Sequence, residues 1–193
     1  MTSRGELEAA AEAVREDLGL DAILNAVGVA HLVGSAALGL MVWPDLDMTV
    51  VCDRLDVAEL HAAAGALVRH PRVRQLTIRN DSGRWNTAPD RYPDGVYWGV
   101  DYRDEKRRWN LDIWFVTDGE RQPDLRHVRE IGPRLTDETR QAILAIKQAW
   151  WQRPEYGRTV TSWDIYRAVL EEGIRTPQEF ELRTMRTPPG SGY

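Results

Sequence analysis

Three aspartates are the residues of this sequence whose type and spacing most clearly suggest chemistry. Asp45 and Asp47 are two positions apart in an apolar run, so in a β-strand both side chains project from one face. Asp112 stands between Leu111 and Ile113 in a second apolar run. Two carboxylates about 4 Å apart repel each other by about 4 kcal/mol at an effective dielectric of about 20, and burial adds a desolvation cost. Three such acids therefore indicate a bound cation.

The donor set favours Mg²⁺ or Mn²⁺, because all of its ligand atoms are oxygens. The four histidines are scattered without the spacing of a zinc site. Pairs of hard divalent cations stabilise the attacking and leaving oxygens of a phosphoryl displacement. Gly34 and Ser35 follow an apolar run and open a short helical stretch. Backbone N–H groups at a helix start and a serine hydroxyl bind phosphate, so we expect a phosphate contact there.

These motifs occur in a recognisable order. Gly34-Ser35, nine further residues, Asp45-Leu-Asp47 and a later Leu-Asp112-Ile resemble the motif set of the DNA polymerase beta-type nucleotidyltransferase superfamily. The resemblance implies an α+β fold in which a mixed β-sheet is flanked by helices and followed by a C-terminal helical segment. It also implies metal binding by the three acids, proton acceptance by Asp112 and triphosphate binding by Gly34 and Ser35.

The resemblance extends from Val29 to about Val116, with one departure from the usual pattern. Pro44 stands directly before the first acid, where many members have a small polar residue. Proline fixes φ and removes a backbone donor, so it changes the wall of the substrate-binding loop more than the metal site.

We therefore expect a Mg²⁺-dependent enzyme that transfers an NMP group from an NTP to an acceptor hydroxyl. A small cationic acceptor, similar to an aminoglycoside or a lincosamide, would suit an acidic cleft. Two alternatives remain open. The same chemistry could act on tRNA or protein, as in toxin-type members, with Arg103, Lys106, Arg107 and Arg108 near RNA phosphates. The chain could also be a nucleotide-binding or antitoxin-like module without turnover.

Lys147 is the third nucleotide-binding residue that we predict. It lies beside a helical stripe of Ile143, Ile146 and Trp150. A lysine at the edge of an apolar stripe commonly extends its ammonium group to water. Basic residues in the helical part of the similar superfamily often contact the triphosphate instead, and we assign that role to Lys147.

Composition narrows the remaining classes of function. The 193 residues carry a net charge of −5, and the C-terminal segment is rich in glutamate, so DNA binding is disfavoured. Cys52 is the single cysteine, which fits a reducing compartment, and we expect it to be a buried apolar residue. No apolar run approaches the ~20 residues of a membrane span, so a cytoplasmic location is the default expectation.

Alternating and helical patterns indicate the elements that position these residues. We predict a helical stretch at Leu7–Val27 and five strands: Val29–Val33, Leu46–Cys52, Arg72–Ile78, Gly95–Tyr102 and Arg107–Val116. We expect a catalytic core over 1–120, a C-terminal helical segment packed on it over 121–187, and a disordered tail over 188–193. Trp114 shares a strand face with Asp112, and Trp98 is expected on a neighbouring strand, so either could stack on a base or an acceptor ring.

Overall fold

The computed structural model describes residues 4–89 and 92–186. The predicted disordered tail at 188–193 lies outside these residues. The helices are α1 Arg4–Leu18, α2 Leu20–Asn25, α3 Gly34–Leu38, α4 Val57–Val68, α5 Pro123–Ile131, α6 Asp137–Trp150, α7 Ser162–Glu171 and α8 Pro177–Arg186. The strands are β1 Val29–Val33, β2 Asp45–Val51, β3 Val73–Asp81, β4 Gly95–Arg103 and β5 Arg108–Val116.

The five strands form one mixed sheet in the order β1-β2-β5-β4-β3. Strand β2 pairs in parallel with β5, whereas the β1–β2, β5–β4 and β4–β3 pairs are antiparallel. The parallel pair places Asp47 directly opposite Asp112 and Asp45 opposite Asn110. Two motifs more than sixty residues apart in sequence thus become neighbours.

One face of the sheet is apolar and carries the core. Leu46, Met48, Leu111, Ile113 and Trp98 are all buried and belong to one hydrophobic cluster. The same cluster contains buried residues of α1, α2 and α4, namely Leu7, Val14, Leu18, Leu20, Leu24, Leu60 and Leu67. Because side chains alternate along a strand, the aspartates must project from the opposite face. Packing in this core therefore fixes the strands that position the acids.

Two helix boundaries have clear local causes. The helical stretch predicted over Leu7–Val27 is broken at Gly19, whose φ of 57° lies in the left-handed region that favours glycine. Helix α4 begins after Asp56, whose carboxylate accepts hydrogen bonds from the backbone N–H groups of Ala58 and Glu59.

The chain divides into two compact units, 1–130 and 131–193. The sheet, α1 to α4 and nearly all of α5 belong to the first unit. The boundary predicted at residue 120 stays a prediction, and the compact division falls ten residues later, at the end of α5.

The second unit contains α6, α7 and α8. Helix α6 begins with a capping box in which Thr136 and Thr139 bind each other's backbone N–H groups. Trp150 of α6 packs edge-on against Phe180 of α8, with 5.2 Å between the ring centroids. Across the described parts of both units, no helix is long and apolar enough to cross a membrane.

Candidate metal and nucleotide site

The three aspartates converge on the polar face of the sheet. One carboxylate oxygen from each of Asp45, Asp47 and Asp112 lies within 4.8 Å of the others. All three side chains are half-buried, while Leu46 and Met48, which alternate with the acids of β2, are buried on the core face. The geometry of two adjacent parallel strands therefore concentrates three negative charges at one point.

Asp112 is held by hydrogen bonds on both of its carboxylate oxygens. The Tyr97 hydroxyl of β4 donates to Oδ1. The Asn110 amide donates to Oδ2 over 3.2 Å and also reaches Oδ1 of Asp45 over 3.4 Å. Burial raises the pKa of Asp112, and these hydrogen bonds oppose the shift only in part. The ionised carboxylate thus needs further positive charge.

Tyr97 occupies its position because β4 leaves space for its ring. A Cβ atom on Gly99 would lie 2.6 Å from the Tyr97 hydroxyl and 3.1 Å from its Cζ. Burial and the hydrogen bond to Asp112 both raise the pKa of Tyr97 above the ordinary range. The phenol therefore stays protonated and donates a hydrogen bond to Asp112. Tyr97, Gly99 and Asn110 are functional residues that were not predicted from the sequence. Strand alternation gives Asn110 as a neighbour of Asp112, but only the strand pairing reveals Tyr97.

Gly34 fits the site in both conformation and space. Its φ is 61°, and a Cβ atom there would lie 2.1 Å from Oδ2 of Asp47. The residue follows β1 and begins α3, as the sequence predicts, and the buried Ser35 comes next. A glycine is thus required where the chain passes closest to an acid of the triad.

The donor set fits a hard divalent cation. Three carboxylates supply oxygen ligands, the glycine keeps the approach to Asp47 open, and Asp112 carries an electrostatic cost that a cation would relieve. These residues are the ones that would hold Mg²⁺ or Mn²⁺.

Lys147 lies in the second unit and is fully buried. Its ammonium nitrogen donates to the Tyr166 hydroxyl of α7 over 3.4 Å. The assignment of Lys147 to the triphosphate stays a prediction.

The two tryptophans considered for stacking lie on opposite faces of the sheet. Trp98 is fully buried in the core and is 4.4 Å from Phe115 between ring centroids, so it is unavailable to a ligand at the acids. Trp114 alternates with Ile113 and shares the polar face with Asp112. It belongs to a polar-face group with Tyr97 and Tyr92, and the guanidinium of Arg79 lies 4.4 Å from the Tyr92 ring centroid.

Comparison with known proteins identifies the fold. No protein-family model matches the sequence, and no curated protein matches it. Among solved structures, the GLD-2/RNP-8 complex aligns at 12% identity with a TM-score of 0.54, over 86% of this chain and 58% of that chain. The Cid1 poly(U) polymerase aligns at 14% identity with a TM-score of 0.60, over 87% of this chain and 49% of that chain. A cytoplasmic RNA terminal U-transferase aligns at 14% identity with a TM-score of 0.55, over 87% and 49%.

The chain therefore shares the fold of these solved structures, which include a poly(U) polymerase and an RNA terminal U-transferase, and the predicted α+β architecture with C-terminal helices is confirmed. At such low identities the likeness concerns the fold. The chain spans only about half the length of these solved structures.

Proposed function

We propose that this protein is a Mg²⁺- or Mn²⁺-dependent nucleotidyltransferase that moves an NMP group from an NTP to an acceptor hydroxyl. The observation that carries the proposal is the convergence of Asp45, Asp47 and Asp112 on the polar face of a sheet with the nucleotidyltransferase fold. The position of Gly34 against Asp47 supports it, because a metal–triphosphate site needs close approach of the backbone.

Each acid has a role in the proposed reaction. The acceptor oxygen attacks the α-phosphorus, the bond from that phosphorus to the bridging oxygen breaks, and pyrophosphate leaves. Asp112 accepts the proton of the acceptor hydroxyl, and Tyr97 with Asn110 orients its carboxylate. A divalent cation bound by the three carboxylates would offset the negative charge of the triphosphate.

Gly34, Ser35 and Lys147 are the proposed nucleotide-binding residues. The first two would contact the triphosphate through backbone N–H groups and the serine hydroxyl. Lys147 would add a positive charge.

The acceptor is the second substrate of the proposed reaction. The sequence predicts a small cationic molecule, which would suit an acidic cleft, with tRNA or protein as the alternative. The names of two solved structures that share the fold describe a poly(U) polymerase and an RNA terminal U-transferase. This favours a hydroxyl on RNA as the acceptor. The single buried Cys52 is consistent with a reducing compartment, and we propose a cytoplasmic location.

Calorimetric titration of each of the four NTPs, with and without Mg²⁺, tests the donor site. We expect Mg²⁺-dependent binding by the wild type and its loss in the Asp45→Asn/Asp47→Asn double variant. Equal binding by both proteins would contradict the metal-site assignment. The NTP that binds most tightly identifies the preferred nucleobase.

Pyrophosphate release tests turnover. The acceptor panel contains an aminoglycoside, a lincosamide, an RNA oligonucleotide with a free 3′ hydroxyl and a protein extract, each with an α-labelled NTP. Label transfer in one arm, absent in the Asp112→Asn variant, identifies the acceptor class. NTP binding without transfer in any arm would favour a nucleotide-binding module instead.

A further inference from the structure

Three arginines surround one buried carboxylate on the polar face of the sheet. Nε of Arg108 donates to Oδ1 of Asp101 over 2.9 Å, Nη1 of Arg74 donates to Oδ2 over 3.2 Å, and Nε of Arg103 lies 3.7 Å from Oδ1. The Asp101 side chain is only 7% exposed, whereas those of Arg74, Arg103 and Arg108 are 58%, 50% and 61% exposed. We call these three residues and Asp101 the arginine cluster.

The cluster has more positive charge than its own carboxylate requires. One guanidinium would neutralise Asp101, and three leave a net charge of +2. Burial alone would raise the pKa of Asp101, but hydrogen bonds from Arg108 and Arg74 outweigh it and keep the pKa below its usual value. Asp101 therefore stays ionised and holds the guanidinium groups in one place, so less rotamer entropy is lost when they bind an anion.

The terminal nitrogens of two of these arginines remain available. Arg103 and Arg108 contact Asp101 through Nε. In the part of the chain that the structure describes, their terminal nitrogens have no hydrogen-bond acceptor. Guanidinium groups supported in this way are suited to phosphate, which accepts paired N–H donors.

The cluster is aligned with the acids. Asp101 pairs with Asn110, and Arg103 pairs with Arg108 two residues further along the β4–β5 pair. Asn110 itself donates to Asp112. Arg108 precedes Asp112 by four residues in β5, which corresponds to about 13 Å along the strand.

The cluster and the proposed triphosphate site lie on opposite sides of the acids. Gly34 follows β1, which is the neighbour of β2 at the edge of the sheet, whereas the cluster lies on β5, β4 and β3. A ligand at the cluster is therefore on the acceptor side. To reach both Asp112 and Arg108 it must be extended and must carry negative charge at a distance from its reactive hydroxyl. A polycationic small molecule would be repelled there.

We propose that the arginine cluster binds the phosphodiester backbone of a single-stranded oligonucleotide acceptor whose terminal hydroxyl lies at Asp112. The proposal rests on the proposed nucleotidyl transfer and names its acceptor. A phosphodiester chain has the required shape and charge, since its phosphates recur along a flexible backbone that ends in a hydroxyl. A single strand fits because its flexible backbone can place the terminal hydroxyl at Asp112 while its phosphates reach the cluster.

Fluorescence anisotropy of labelled single-stranded oligonucleotides of about eight nucleotides tests the cluster. The RNA and DNA forms are titrated separately, in EDTA, with the full-length protein. We expect Arg103→Gln/Arg108→Gln to weaken binding by about tenfold or more, because two phosphate contacts are lost. The matched control is Arg121→Gln. Arg121 is 87% exposed, paired with Asp118, and lies beyond the opposite end of β5, so we expect a change of less than about twofold.

Several results would overturn the proposal. Wild-type protein that binds neither oligonucleotide would do so, as would equal affinity of the wild type and the double variant. Arg103→Lys/Arg108→Lys should recover part of the affinity, since charge returns without the guanidinium geometry. Preference for the RNA or the DNA probe identifies the nucleic acid that supplies the phosphodiester.

Calorimetry with Mg²⁺ and NTP on the same proteins separates the two proposals. Intact NTP binding by the double variant shows that it is folded. If the wild type binds NTP but no oligonucleotide, the acceptor assignment fails and the nucleotidyl transfer remains. If it binds oligonucleotide but no NTP in the presence of Mg²⁺, the proposed transferase function fails.

Discussion

At the scale of single residues, the approach of Gly34 to Asp47 sets the tightest constraint on the site. The glycine must adopt a positive φ, and the space that a side chain would occupy is taken by the carboxylate. A side chain at Gly34 would violate both requirements at once. Gly83 allows the two effects to be separated, because it has a similar φ of 53° but no atom lies within 4 Å of an added Cβ.

The Gly34→Ala variant should therefore impair the candidate site more than its matched control Gly83→Ala does. Both alanines have left-handed backbone strain of about 1–2 kcal/mol, and each kcal/mol corresponds to about 2–4 °C in Tm for a chain of this size. Only Gly34→Ala displaces Asp47, so we expect only this variant to lose Mg²⁺-dependent NTP binding. Thermal unfolding and calorimetry measure the two effects. Equal loss of NTP binding in both variants would show that strain alone is responsible.

Asp112 illustrates a conflict between stability and function at the same scale. Burial raises its pKa, so the folded protein holds this proton more tightly than the unfolded chain does. Ionisation of Asp112 consequently lowers the stability of the folded state. Its destabilising effect is absent at low pH and develops as the pH rises from about 4 through the raised pKa.

We expect the neutral Asp112→Asn variant to have a higher Tm than the wild type at pH 7 in EDTA. The difference should shrink as the pH falls and the wild-type carboxyl becomes protonated. Added Mg²⁺ should raise the Tm of the wild type and leave the variant nearly unchanged, because the cation binds the folded state through this acid. A lower Tm for the variant in EDTA at pH 7 would contradict the desolvation argument.

At the scale of elements, the parallel pairing of β2 with β5 creates the site. Strand alternation predicts which side chains share a face, and the five predicted strands form with bounds that differ by at most three residues. The order of the strands is a non-local property. Tyr97 meets Asp112 only because β4 lies beside β5, and Arg74 and Arg108 meet Asp101 only through the pairing of β4 with β3 and β5.

The sequence therefore predicts the acids but not their supporting residues. Asp45 and Asp47 are two residues apart in one strand, and the glycine-serine pair is a local motif, so both are recognisable without a structure. Gly99 has no local signal, since its lack of a side chain matters only to the ring of Tyr97. The sequence alone also does not show whether Trp98 lies in the core or faces a ligand, because the face of β4 that packs on the core depends on the sheet register.

Helix α6 provides the element-scale test of Lys147. The Lys147→Met variant keeps an unbranched apolar stem in the buried position and removes the charge, so we expect the fold to persist. If Lys147 contacts the triphosphate, KM for the NTP should rise by about tenfold or more, as one charged contact is lost.

Tyr166→Phe is the control for this substitution. It removes the 3.4 Å hydrogen bond between α6 and α7 but leaves the ammonium group in place. Steady-state kinetics of both variants should show a raised KM only for Lys147→Met. A similar KM change in the two variants would indicate that Lys147 acts by positioning the helices.

At the scale of the whole molecule, overall charge and local charge have opposite signs. The chain carries a net charge of −5, and the arginine cluster carries +2. The Debye length is about 8 Å at physiological ionic strength, so an anion at the cluster is affected mainly by its immediate neighbours. A protein that is acidic as a whole could thus bind a polyanion at one place, with few contacts.

The salt dependence of oligonucleotide binding measures how many contacts there are. Each phosphate neutralised on a single strand contributes about −0.7 to the slope of log K against log salt concentration, so the two available arginines, Arg103 and Arg108, predict a slope of about −1.4. The Arg103→Gln/Arg108→Gln variant retains only Arg74, whose charge Asp101 balances, and should reduce the slope to near zero. Anisotropy titrations over a range of KCl concentrations supply both values. A much steeper wild-type slope would require basic residues beyond the cluster, and an unchanged slope in the variant would place the bound phosphates elsewhere on the molecule.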